Sequence, residues 1–158
     1  FAREVSALAF NTTGALLVAG SYDQTARVLD PTNLETVMRL VGHEDPIQAV
    51  AFAADDRSVL TASGDTFAED TDVSIRLWEI ETGQQLRRFG NEHPQEINDL
   101  VVSSDGRAVI TADGASNIIR YEMLPADDLQ AFTEANRYAR PLTCGERALY
   151  DLDRGECP

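Results

Sequence analysis

The sequence predicts an all-β chain of three repeated antiparallel units of four short strands each, the last unit incomplete, followed by a short α-helical tail. Three observations carry this expectation. An alternating apolar segment recurs three times at a period of about 40–50 residues, as a strand that buries one face would. Each recurrence runs into a cluster of turn-forming residues and then a second apolar run. After residue 124 the period changes from that of a strand to that of a helix.

The first strands are Val5-Ser6-Ala7-Leu8-Ala9-Phe10, Ile47-Gln48-Ala49-Val50-Ala51-Phe52 and Ile97-Asn98-Asp99-Leu100-Val101-Val102. Turns follow at Asn11 to Gly14, Ala53 to Asp56 and Ser103 to Gly106, and Ser-Ser-Asp-Gly in the last is a strong hairpin signal. Second strands are expected at Ala15 to Ser21, Arg57 to Ser63 and Arg107 to Asp113. They end on small residues, as interior strands near a crowded axis require. Third strands follow at Thr25 to Asp30, Ser74 to Glu79 and Asn117 to Glu122. Fourth strands are expected only twice, at Glu35 to Leu40 and Gln84 to Phe89, because Met123-Leu124-Pro125 leads the third unit away from strand pattern. Four antiparallel strands per unit at this period is the pattern of a propeller blade. The blades span about 1–42, 43–90 and 91–124, with the tail at 125–158.

The middle unit carries Gly42-His43 before its first strand, Ser63 closing its second, Asp72 ahead of its third, and Trp78-Glu79 within that third strand. This arrangement resembles the WD-repeat (WD40) β-propeller family. The resemblance implies that His43, Ser63, Asp72 and Trp78 form a hydrogen-bonded network that satisfies buried polar groups and locks the turn between strands two and three. The outer units depart from the pattern. The first has Ser21 and Asp23, but Phe1 at the His position and Leu29 at the Trp position. The third keeps His93, with Asp113 for Ser, Tyr121 for Trp and no clear Asp.

A blade needs a neighbour on each face, and three blades fall short of the usual ring of four to eight. The remaining blades are therefore expected on an upstream segment or a second chain, and the strand-like start at Phe1 is read as the continuation of a longer protein. In the tail, Asp127 with Gln130 and Thr143 with Glu146 read as capping boxes. The run Asn136 to Cys144 with the closing Cys157-Pro158 resembles the C-terminal tail of bacterial multidomain WD-repeat signalling proteins. That resemblance implies a sensing or docking role beside an effector domain.

Charge narrows the function further. The chain has 27 acidic residues against 13 basic ones, all arginine, for a formal net charge of -14. Such a surface repels phosphate backbones and anionic lipid, so neither nucleic acid nor membrane is an expected partner. No run approaches the length of a membrane helix and Phe1 to Val5 lacks signal-peptide anatomy, which reads as a soluble, cytoplasmic protein. Both histidines occupy the network position, and no nucleophile elbow, glycine-rich phosphate loop or His-Glu-x-x-His spacing occurs. No catalytic residue, cofactor or metal site is therefore expected, and calcium is disfavoured because the acidic loop lacks the glycine-punctuated spacing.

The loop between the second and third strands of the middle unit is extended and acidic, with Asp65, Phe67, Glu69 and Asp70 the candidate contacts for a protein or peptide partner. Cys144 and Cys157 are either a disulfide that staples the tail or, in a reducing compartment, free thiols packed as small hydrophobes. Arg87 and Arg88 read as a solvated outer edge. Ser6, Gln48 and Asn98 are candidates to point toward the axis. The functional expectation is a non-catalytic protein-interaction or sensing module. Its alternatives are a self-assembly module that completes a ring between chains and, less favoured, a propeller hydrolase.

Overall fold

The computed structural model describes residues 1–65, 72–90 and 92–123; the expected helical tail at 125–158, with Cys144 and Cys157, lies outside them, as do Phe67, Glu69 and Asp70. Within the described residues every regular element is a strand, in three antiparallel sheets of consecutive strands. The first holds β1 (Val5–Phe10), β2 (Leu17–Ser21), β3 (Thr25–Leu29) and β4 (Thr36–Val41). The second holds β5 (Ile47–Phe52), β6 (Ser58–Ser63), β7 (Ile75–Glu79) and β8 (Gln85–Phe89). The third holds β9 (Ile97–Val102), β10 (Ala108–Asp113) and β11 (Ile118–Glu122).

Each second strand starts a residue or two later than the sequence pattern indicates, because the turn before it is longer. Asn11, Ala53 and Ser103 each donate their backbone N–H across the turn, to the carbonyls of Leu16, Ser58 and Ala108. The Asn11 side chain also accepts from the Leu16 N–H, Asp55 accepts from the Ser58 N–H, and the Ser103 hydroxyl accepts from the Ala108 N–H. These local side-chain bonds compete with the ladder and delay it.

The three hairpins share one register. Leu17 pairs with Leu29, Val59 with Trp78 and Val109 with Tyr121. Pleating then gives each sheet two unlike faces. One face is lined by small residues: Ala7, Ala9 and Gly20 in the first sheet, Ala49, Ala51 and Ala62 in the second. The other is lined by large ones: Val50, Phe52 and Trp78 in the second sheet, joined by Ile47 at its rim, and Tyr121 with Ile97 and Leu100 in the third. The small side of one sheet receives the large side of the next. Val18, Val28 and Leu40 pack with Ile47, Val50, Phe52, Val59 and Trp78, while Leu60, Ala62 and Ile75 pack with Ile97, Leu100 and Val109. Full burial of each Val, Leu or Ile contributes about 1.5–3 kcal/mol. Gly20 is required at the first junction: a Cβ there would lie 2.7 Å from Ile47 Cγ2 and 2.9 Å from Val50 Cγ1.

β5 packs between β1 and β9, so the first strands of the three sheets are neighbours. The turns at one end meet in sequence as well. Thr12 donates its backbone N–H to Asp56 Oδ1 at 3.0 Å and its hydroxyl to Asp56 Oδ2. At the next junction a Cβ on Gly106, which holds the Asp56 position, would lie 2.9 Å from Ala54 Cβ. Among the described residues, the face of the first sheet turned away from the second leaves Leu8 and Phe10 more than half exposed, at 62% and 61%.

Candidate functional site: two histidine networks and the rim they fix

The ends of the strands opposite those turns carry the β2–β3, β4–β5, β6–β7, β8–β9 and β10–β11 connections. Polar networks buried beneath them set their positions. His43, on the β4–β5 connection, is 6% exposed and lies between two sheet elements. Its Nδ1–H donates to Asp72 Oδ2 at 3.3 Å, and its Nε2 accepts from the Thr61 hydroxyl at 2.6 Å. Thr61 Oγ1 in turn accepts from Trp78 Nε1–H at 2.8 Å. One hydroxyl thus links indole to imidazole, and the carboxylate fixes which imidazole nitrogen keeps its proton. Gly42 makes this approach possible, since a Cβ would lie 2.9 Å from Arg76 Nη1 and 3.0 Å from Trp78 Cη2.

The structure corrects one member of the expected set. His43, Asp72 and Trp78 are brought together, but the linking hydroxyl belongs to Thr61, not Ser63. The Ser63 hydroxyl instead donates to the Asp72 backbone carbonyl at 2.5 Å, which ties the end of β6 to the start of the third strand. The reason is register: β6 pairs Val59 with Trp78, so Thr61 is the indole's diagonal neighbour, whereas Ser63, on the same face, lies two residues further along at the strand end. The signal was present in the sequence. Thr61 and Thr111 occupy the same place in Leu-Thr-Ala-Ser and Ile-Thr-Ala-Asp, where the first unit has Ala19.

Asp72 is the hub. It accepts from Arg76 Nη2 and Arg88 Nη2, both at 2.8 Å, from the Ser74 hydroxyl at 2.7 Å and from the Glu44 N–H at 3.0 Å. Burial opposes its ionisation, but the bonds from His43, Ser74 and Glu44 and the charge of Arg76 outweigh it, holding the carboxyl well below the usual range. His43 moves down as well. Burial disfavours the imidazolium, and although Asp72 favours it, Arg76 and Arg88 add to the penalty. Arg88 is therefore not the free outer-edge residue its position on β8 indicates.

The third unit repeats the device in other terms. His93 donates from Nδ1 to Asp113 Oδ2 at 2.9 Å and accepts at Nε2 from the Thr111 hydroxyl at 2.9 Å. Asp113 thus supplies the acid that the sequence pattern leaves unassigned in this unit. Among the described residues, no arginine pairs with it as Arg76 and Arg88 pair with Asp72. Asn117 donates to Asp113 through its backbone N–H at 2.8 Å and its side chain at 3.0 Å. Burial raises the Asp113 carboxyl, but the bonds from His93 and Asn117 prevail and hold it at about 2. Tyr121 takes the Trp78 position without joining the network. It donates to Glu92 Oε2 at 3.1 Å, and its ring packs edge-on to Phe89 at 5.2 Å between centroids.

The first unit keeps the acid and loses the rest. Asp23 accepts from Ala2 N–H at 2.7 Å and from Thr25 N–H and hydroxyl, while Phe1 lies over the Arg27 guanidinium at 4.3 Å. Where the second unit has His43, Thr61 and Trp78, this one has Phe1, Ala19 and Leu29.

The rim above these networks carries Glu4, Glu44 and Glu92 exposed to solvent, with Asp45, Asp65 and Glu96 half-buried. Asp65 is the described member of the expected partner-contact loop. Of the candidate axial residues, Ser6 donates to Gly20 O and Ile47 O, Gln48 donates to Gly64 O, and Asn98 is exposed. No group of His, Cys, Asp and Glu among the described residues is arranged to hold a metal ion. No described helix is long and apolar enough to cross a membrane.

Consecutive antiparallel blades in one register, with a His–Asp pair beneath each of two rim connections, define a WD40 repeat array. Residues 2–30 and 34–68 match the family described as WD domain, G-beta repeat, and the chain carries WD40 repeats. It is similar to nuclear distribution protein PAC1 of Arthroderma benhamiae, 32% identical over 100 residues, which cover 62% of this chain and 22% of that protein. It is also similar to periodic tryptophan protein 2 homolog of Schizosaccharomyces pombe, 25% identical over 139 residues, covering 76% of this chain and 16% of that protein. A third relative is eukaryotic translation initiation factor 3 subunit I of Debaryomyces hansenii, 29% identical over 108 residues, covering 68% of this chain and 28% of that protein. The chain therefore spans less than a third of each of these relatives, all of them from fungi.

Proposed function

We propose that this chain is a non-catalytic protein-interaction module, three blades of a larger WD40 propeller, whose histidine-fixed rim binds a basic segment of a protein partner. The observation that supports this reading is how the titratable groups are used. Both histidines and their aspartates are consumed in holding connections in place, and the rim they hold presents carboxylates. A preorganised acidic rim favours an extended cationic segment and speeds its approach. The extended loop with Asp65, Phe67, Glu69 and Asp70 is the proposed centre of contact, Phe67 supplying the apolar anchor.

The remaining blades come from an upstream segment or a second chain. Leu8 and Phe10 support this, since they hold in the first sheet the positions that Val50 and Phe52 bury against it in the second. The tail's likeness to bacterial signalling proteins supports a sensing role beside an effector domain, in a cytoplasmic protein, although the relatives compared above are fungal.

The test is site-specific photo-crosslinking in the native host with the intact protein. A crosslinker at residue 44, 67 or 92 is expected to capture one common protein, and a crosslinker at Asp105 in the turns of the opposite end is not. Glu44→Arg with Glu92→Arg should abolish capture at residue 67. Equal capture from both ends, or capture indifferent to the double charge reversal, would overturn the assignment of the rim.

A further inference from the structure

The two histidine networks look alike but differ in what they can do with a second proton. Protonation at Nε2 turns that nitrogen from acceptor to donor, so the threonine hydroxyl facing it must turn and find another acceptor. Thr111 has one within reach, the Ile119 carbonyl at 3.3 Å, and no indole competes for its oxygen. Thr61 already accepts from Trp78 Nε1–H, and among the described residues its proton has no acceptor besides His43.

The carboxylates differ in the same sense. Among the described residues, Asp113 faces His93 with a full charge and Asn117 as its further side-chain donor, with Tyr121 and Glu92 the other titratable groups beside the ring. Asp72 shares its charge between Arg76 and Arg88, whose two cations also face His43; Asp45, bonded to the Asp72 N–H, and Glu44 complete the surroundings. An imidazolium at 93 gains an ion pair, whereas one at 43 enters a site already holding two guanidiniums.

We propose that the His43 network is an acid-sensitive latch: protonation of His43 strands the Thr61 hydroxyl proton beside Trp78, whose ring packs on the first sheet, and loosens the second blade from the first, while the His93 network, where Thr111 has a further acceptor, stays intact. Burial and the two arginines oppose the charged form of His43, consistent with this direction. The sign follows. With His43 lowered from its ordinary 6.5, the opened state binds the proton more readily, so the latch holds above that pH and weakens as pH falls. Between that pH and the lower one at which the closed state also takes the proton, the population of the opened form should rise by up to about tenfold per pH unit.

The chain has two histidines and one tryptophan, so the experiment is direct. In the full chain, imidazole proton resonances, Trp78 fluorescence and amide exchange corrected for its intrinsic pH dependence are followed from pH 7.5 to 4. The expected result is that His43 takes its proton below its ordinary 6.5. Exchange then accelerates across β5 and β7 but not β9 and β10, and Trp78 emission shifts red over the same range. His43→Gln should flatten the response. Arg88→Gln, at a half-exposed side chain, should raise the pH at which His43 titrates and reduce the acceleration severalfold, which keeps the idea testable if the first variant does not fold. The proposal is overturned if His43 protonates without a change at Trp78, or if exchange rises equally in the second and third sheets.

Discussion

A single hydroxyl decides whether the middle unit's network is complete. Thr61 gives its proton to His43 and takes one from Trp78, so Thr61→Val, which keeps the shape, strands two buried polar groups at once. The expected cost is about 2–4 kcal/mol in urea unfolding, against under about 1.5 kcal/mol for Thr61→Ser. Equal costs for the two variants would show that the hydroxyl is unimportant. The first unit shows such a network replaced as a set: Phe1, Ala19 and Leu29 stand for His, Thr and Trp together, at the cost of a buried Arg27 Nε without a partner. Hence His43→Phe, Thr61→Ala and Trp78→Leu should each destabilise strongly alone, while the triple variant should cost at least about 1 kcal/mol less than their sum. A strictly additive triple would mean that the three side chains do not act as a unit.

At the level of strands and sheets, junctions are governed by size. Gly20→Ala puts a Cβ 2.7 Å from Ile47 Cγ2 and should cost about 1–3 kcal/mol through overpacking, with increased amide exchange in β2 and β5; an unchanged midpoint would mean the sheets separate freely there. This is also where the legibility of the sequence can be judged. Strand order and pairing followed from alternation, since a slip of one residue would turn every apolar side chain outward. The late starts of β2, β6 and β10 did not, because Asn11, Asp55 and Ser103 take backbone donors by local bonds that propensity does not count. The meeting of His43, Asp72 and Trp78 was implied by the resemblance to WD repeats, but Thr61 required knowing the register of β6 on β7, since Ser63 shares its face. The pairing of Arg88 with Asp72 joins β8 to a loop across β7, a contact with no sequence period at all.

For the whole chain, acid acts in two stages. Below pH 6.5 the neutral His43 of the folded state becomes a liability, and below 3.8 Asp72 and Asp113 add to the loss, because each stays ionised when folded to a lower pH than when unfolded, Asp113 to about 2. Protonation of the many other acids relieves repulsion and works the other way, so the comparison between variants is the informative one. The urea midpoint of the parent should fall more steeply from pH 4 to 2 than that of Asp113→Asn. Parallel curves would remove Asp113 from this account.

The unlike faces of each sheet give the array a direction. A side lined with alanine and glycine always meets one lined with phenylalanine, tryptophan or isoleucine, so any unit can follow another in the same sense. Two large sides brought together by a twofold axis would collide, and two small sides would leave a gap. A gene encoding such units can therefore lengthen by tandem duplication, every new junction inheriting a working fit, whereas an inverted copy would find no partner.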